Sequence, residues 1–155
     1  MLTPARMLAL FVPAALLAGA LGSQYLGGLV PCEMCMWQRW PHYAAVGIAI
    51  LAILLRATPL SRPLTMLAGL LIITSGAIGV YQAGAEYGWW EGPARCTMPP
   101  LGHGGDIMAQ LLAAPLIRCD VAQWTLFHVS LAGWNALFSF AGGIAVLALC
   151  LKRAR

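Results

Sequence analysis

MLALFVPAALLAGALGSQYLGGLVPCEMCMWQR, residues Met7 to Arg39, begins with a charge-free run from Met7 to Cys32 and ends on two cysteines held two residues apart. The run exceeds the roughly 20 apolar residues that carry a helix across a bilayer. Three more charge-free runs follow: Trp40 to Leu55 between Arg39 and Arg56, then Pro63 to Ala85, then Val121 to Leu151. The 155 residues are 61% hydrophobic and only 9% charged, which places the chain outside the composition of soluble domains. The expected fold is an all-α membrane protein, a single domain over residues 1–155. It is a four-transmembrane-helix bundle with spans at about residues 7–30, 36–56, 63–86 and 124–151, and a long outer loop, about 87–123, between helices 3 and 4. Arg6 before an apolar stretch and the small residues Ala18-Gly19-Ala20 also fit a secretory signal peptide, but the uncharged run continues to Val30, longer than a signal core.

Orientation is read from the basic residues. Arg6, Arg56, Arg62, Lys152, Arg153 and Arg155 fall on one side, against Arg39, Arg95 and Arg118 with all five acids on the other. The positive-inside rule then puts both termini in the cytoplasm and the loops carrying Cys32, Cys35, Cys96 and Cys119 outside. The net charge of +4 reports this topology rather than nucleic-acid binding. Four cysteines on an oxidising side allow two disulfides, whereas Cys150, near the cytoplasmic end of the last span, reads as a small buried hydrophobe.

The second charge-free run is short. Its 16 residues reach about 24 Å, less than the ~30 Å hydrocarbon core, so the helix is expected to begin earlier. Extension by a turn places Cys32 and Cys35 around its first turn, with Pro31 at the start and Arg39 one turn from Cys35 on the same face. A helix N-terminus and a nearby guanidinium both favour thiolate over thiol, the species that exchanges disulfides and attacks quinones. Arg39 has an alternative role, snorkelling to lipid phosphates.

Competing uses of C-x-x-C fit less well. Covalent haem needs histidine after the second cysteine, where Met36 stands. Zinc prefers a second close pair, and Cys96 and Cys119 are far apart with no histidine at ligand spacing, so no metal site is expected. An inert disulfide across so small a loop removes little unfolded-state entropy. The outer loop, rich in Gly, Pro and Trp, reads as a mobile arm with a short helix expected over Ile107 to Ala113. Trp37, Trp40, Tyr43, Tyr87, Trp89, Trp90, Trp124 and Trp134 crowd the outer side as an interfacial belt that also suits a flat ring ligand. His42, His103 and His128 are candidate proton suppliers, each better read as structural or solvent-facing; Asn135 is assigned to helix packing.

Three stretches carry a family resemblance: Pro31 to Arg39 (PCEMCMWQR), Gly88 to Cys96 (GWWEGPARC), and Arg118 to Asn135. Over essentially the whole chain they resemble the disulfide bond formation protein B (DsbB) family in its short form. The resemblance implies a bacterial inner-membrane oxidoreductase that reoxidises a periplasmic thioredoxin-fold oxidase of the DsbA type and passes electrons to the quinone pool, as ubiquinone or menaquinone. It implies that Cys96 is attacked by the partner thiolate, that the released Cys119 exchanges with the Cys32–Cys35 bond through Cys32, and that Cys35 is left as thiolate beside a quinone near Arg39. A dithiol at about −120 mV, the potential of such partners, needs an acceptor of higher potential, as a quinone is. One departure stands out: Gln82 occupies a position where similar sequences carry histidine. Two other readings predict different behaviour. A vitamin K epoxide reductase-like enzyme would carry its redox motif in a later helix, and a disulfide-stapled membrane scaffold would tolerate loss of Cys32 and Cys35.

Overall fold

The computed structural model describes residues 3–93 and 118–152. Among them are four helices: α1 (Thr3–Tyr25), α2 (Glu33–Leu54), α3 (Ser61–Glu86) and α4 (Leu131–Lys152). A two-residue pairing of β1 (Thr125–Leu126) with β2 (Val129–Ser130) precedes α4. The fold of the described residues is thus all-helical apart from this small ribbon. The expected helix at Ile107 to Ala113, and with it most of the outer loop, lies outside the described residues.

α1, α3 and α4 are each long and apolar enough to cross a membrane. α2 has 22 residues, about 33 Å of helix, so it is long enough, but Gln38, Arg39 and His42 make its first half too polar to qualify by composition. That helix begins well before Trp40, as the shortness of its apolar run requires.

The helix ends have local causes. α1 stops at Tyr25, before Val30, because Gly27 and Gly28 turn the chain. Gly28 takes φ 67°, a left-handed conformation that suits glycine, and Leu26 N–H still bonds back to Gly22 O at 2.9 Å. The turn delivers Pro31 and Cys32 to the start of α2. α4 starts at Leu131 rather than near residue 124, because Ser130 caps it, its Oγ accepting from Gly133 N–H at 3.2 Å. The residues just ahead are held in a tight turn at Phe127 and His128, both at positive φ. Tyr87 at the end of α3 clamps this turn: its hydroxyl donates to His128 O and accepts from Ser130 N–H, both at 3.0 Å.

α3 packs on both α2 and α4, while α1 closes the bundle against α2 and α4. Small residues allow this close approach. Ala9, Ala45, Ala49 and Ala68 are fully buried beside Ile72 and Val146, and a Cβ on Gly79 or Gly143 would stand 2.9 Å from a carbonyl oxygen of the facing helix. Larger aromatic residues point outward: Trp37, Trp40, Trp89, Trp90 and Trp124 are all exposed.

Candidate functional site

Cys32 ends the turn after α1 and becomes the N-cap of α2, its Sγ accepting from Cys35 N–H at 3.2 Å. The i to i+3 spacing of one helical turn brings the two sulfurs within 2.6 Å. Both thiols are free, Cys32 almost fully buried and Cys35 partly so. Cys32, just outside the helix, has its thiol pushed up from its ordinary value, first by the hydrogen bond with Cys35 and then by burial. It is therefore the member of the pair that keeps its proton.

Cys119, distant from Cys32 in sequence, packs with Cys32 and Met34 in one buried cluster. Cys119 is itself disulfide-bonded. Cys96 lies outside the described residues. Beside Cys119, Arg118 donates two hydrogen bonds to Asp120, at 2.9 and 2.6 Å, and holds that exposed carboxyl below its ordinary range.

A cavity of about 670 Å³ adjoins the pair, bounded by α1, the turn after it, α2, the end of α3 and the start of α4. Its walls divide by chemistry. Cys32, Cys35, Gln38, Arg39, His42, Gln82, Glu86 and Asn135 make one polar side, while Leu16, Leu17, Val30, Leu131, Trp134 and Phe138 supply apolar surface, the last two rings stacked at 5.6 Å. Arg39 is buried at 7% exposure, with Nη1 donating to Gln24 Oε1 at 2.6 Å and Nη2 to Ala20 O at 3.1 Å. Both acceptors are neutral, and among the described residues no carboxylate pairs with it. A guanidinium held this way keeps its whole charge for whatever enters the cavity, which argues against simple snorkelling to phosphates.

Behind the sulfurs runs a chain of side-chain amides. Asn135 Nδ2 donates to Gln38 Oε1 at 2.7 Å, Gln38 Nε2 to Gln82 Oε1 at 2.5 Å, and Gln82 Nε2 to Glu86 Oε1 at 2.9 Å. Gln82 Nε2 also points at Cys35 Sγ, 3.4 Å away, and Cys32 Sγ, 3.5 Å away. At the other end Asn135 Oδ1 meets His42 Nε2 at 3.0 Å, with Ser75 Oγ 2.9 Å from the same nitrogen. His42 is thus a buried member of an interhelical network, and Asn135, assigned to packing, joins three helices through hydrogen bonds. Sequence reasoning did not assemble Gln38, Gln82, Glu86 and Asn135 into a site. The available signal was their spacing: Cys35, Gln38, Arg39 and His42 share one face of α2, and Ser75, Gln82 and Glu86 one face of α3, polar groups that apolar spans do not carry without purpose. His128 sits in the turn before α4, where its backbone carbonyl accepts from the Tyr87 hydroxyl; His103 lies outside the described residues.

A family model described as disulfide bond formation protein DsbB matches residues 3–150 of the chain. The chain is 32% identical to disulfide bond formation protein B of Verminephrobacter eiseniae (strain EF01-2), with 99% of this chain and 89% of that protein covered. It is 34% identical to the protein of the same name from Azoarcus sp. (strain BH72), over 89% of this chain and 84% of the relative. No solved structure matches.

Proposed function

This chain belongs to the disulfide bond formation protein DsbB family, and on that premise we propose that it reoxidises a periplasmic thioredoxin-fold dithiol of the DsbA type and delivers the electrons to a membrane quinone. The observation that carries the reading is the burial of Cys119 against Cys32, with Cys35 beside the cavity that Arg39 lines. One disulfide-bonded cysteine is thereby adjacent to a free pair, the arrangement that exchange needs.

The relay follows from that adjacency. The partner's thiolate attacks Cys96, forming a mixed disulfide and releasing Cys119 as thiolate; Cys119 then attacks Cys32 of an oxidised Cys32–Cys35 pair, and Cys35 leaves as thiolate. Each exchange breaks one S–S bond and forms one. Gln82 Nε2 faces the departing Cys35 sulfur, while Cys35 N–H at the start of α2 donates to Cys32 Sγ. Arg39, Gln38 and the stacked Trp134 and Phe138 would hold a quinone ring, ubiquinone or menaquinone, with the apolar wall taking its tail. The partner's second thiolate then displaces Cys96 and leaves oxidised, Cys96 displaces Cys32 from Cys119, and a quinone bound there would accept two electrons and two protons as the freed Cys32 and Cys35 rejoin.

The remaining assignments belong to the same reading. α2 is the fourth span, the bundle lies in the bacterial inner membrane, the termini are cytoplasmic and the cysteine loops periplasmic. Arg6 Nη2 donating to Arg56 O at 3.3 Å supports one basic end, since it ties the start of α1 to the α2–α3 turn. Partners are then the thioredoxin-fold oxidase, lipid and the quinone pool. Thiol trapping followed by peptide mapping tests the relay. Mixing oxidised protein with a reduced thioredoxin-fold partner, without quinone, is expected to yield a Cys32–Cys119 linkage with Cys35 free. Persistence of both original disulfides beside a reduced partner would overturn it.

A further inference from the structure

We propose that Glu86 is a positioning residue that acts through Gln82: it turns the Gln82 amide so that its NH₂, rather than its carbonyl, meets the sulfurs of Cys32 and Cys35. The proposal rests on the reading of that pair as exchange-active. Glu86 Oε1 accepts from Gln82 Nε2 at 2.9 Å, which sets the Gln82 nitrogen on that side. One N–H is used there; the other is left for Cys35 and Cys32 at 3.4 and 3.5 Å. On the far side Gln38 Nε2, 2.5 Å away, donates to Gln82 Oε1 and favours the same orientation.

The consequence is a neutral, non-titrating donor fixed opposite the sulfur pair in which Cys35 carries the negative charge. A flipped amide would set a carbonyl against both thiolate and carboxylate. Hydrogen bonds to charged acceptors are the strong ones, so orientation controls how much thiolate the pair supports. No proton moves through Gln82. The charged groups around the cavity are Glu86 from α3, Arg39 from α2 and Arg118 from the segment before β1; the lining parts of α1 and α4 contribute none. Glu86 therefore has two opposed effects. Its charge repels a thiolate nearby, and its grip on Gln82 favours one.

The opposition makes the test decisive. The full chain in detergent, with Cys32, Cys96, Cys119 and Cys150 each replaced by serine, leaves Cys35 as the one thiol, and its ultraviolet thiolate absorbance is followed against pH with neither quinone nor partner present. Gln82→Leu is expected to reduce the thiolate at a given pH about tenfold. Glu86→Gln is expected to reduce it too, because a glutamine there lets Gln82 turn its carbonyl to the sulfur. Gln82→His, which keeps a donor, is expected to restore most of the thiolate and add a second titration step. More thiolate in Glu86→Gln, the result of simply removing a negative charge, overturns the proposal, as does an unchanged Gln82→Leu. If the shifts occur but the wild-type protein fails to oxidise a dithiol partner, the functional reading alone falls.

Discussion

Arg39 shows how one side chain is committed by its surroundings. It sits one turn beyond Cys35 on α2, buried, with both terminal nitrogens engaged by neutral oxygens of α1. The cost of burying that charge is several kcal/mol unless a partner compensates, which makes an electron-rich ligand in the cavity the natural counterpart. Arg39→Met is therefore expected to raise KM for quinone about tenfold or more while leaving the stoichiometric exchange of disulfides with the partner, measured without quinone, within about twofold. Equal loss in both assays would assign Arg39 to the fold rather than to the acceptor. At this scale the sequence was legible for residues with distinctive chemistry. The cysteine pair and the embedded arginine announce themselves; glutamines and an asparagine do not, because their role depends on which helix faces them.

Among the elements, α3 and α4 carry the tightest contact. Gly143 approaches the backbone of α3 so closely that an added Cβ would lie 2.5 Å from Ile73 Cγ1 and 2.9 Å from Gly69 O. Because α3 presents Gln82 and α4 presents Asn135, this contact also sets the spacing of the amide chain. Gly143→Leu is expected to cost about 1–3 kcal/mol and to lower the thermal unfolding midpoint in detergent; an unchanged midpoint would mean that the helices are not held at this separation. Charge-free runs located the helices because membrane burial acts on composition over many residues. Their ends were less legible. Gly27-Gly28 terminates α1 early and Ser130 delays the start of α4, and both depend on single residues in backbone conformations that hydropathy does not register.

In the whole molecule the bundle is a frame that holds one sulfur pair between a disulfide-bonded cysteine and a cavity. Cys119 buried on Cys32 faces one side, and Arg39 with the stacked Trp134 and Phe138 faces the other. That spatial order was inferable from the motif, its place in the second helix and the family resemblance, whereas the path taken by the outer loop between residues 94 and 117 falls outside the described residues. The most direct measurement follows quinone absorbance in purified protein as a reduced thioredoxin-fold partner is added, comparing wild type with Cys35→Ser and Cys96→Ser. Quinol formation is expected in the wild type and in neither variant. Sustained turnover in either variant, or none in folded wild-type protein with both ubiquinone and menaquinone, would contradict it.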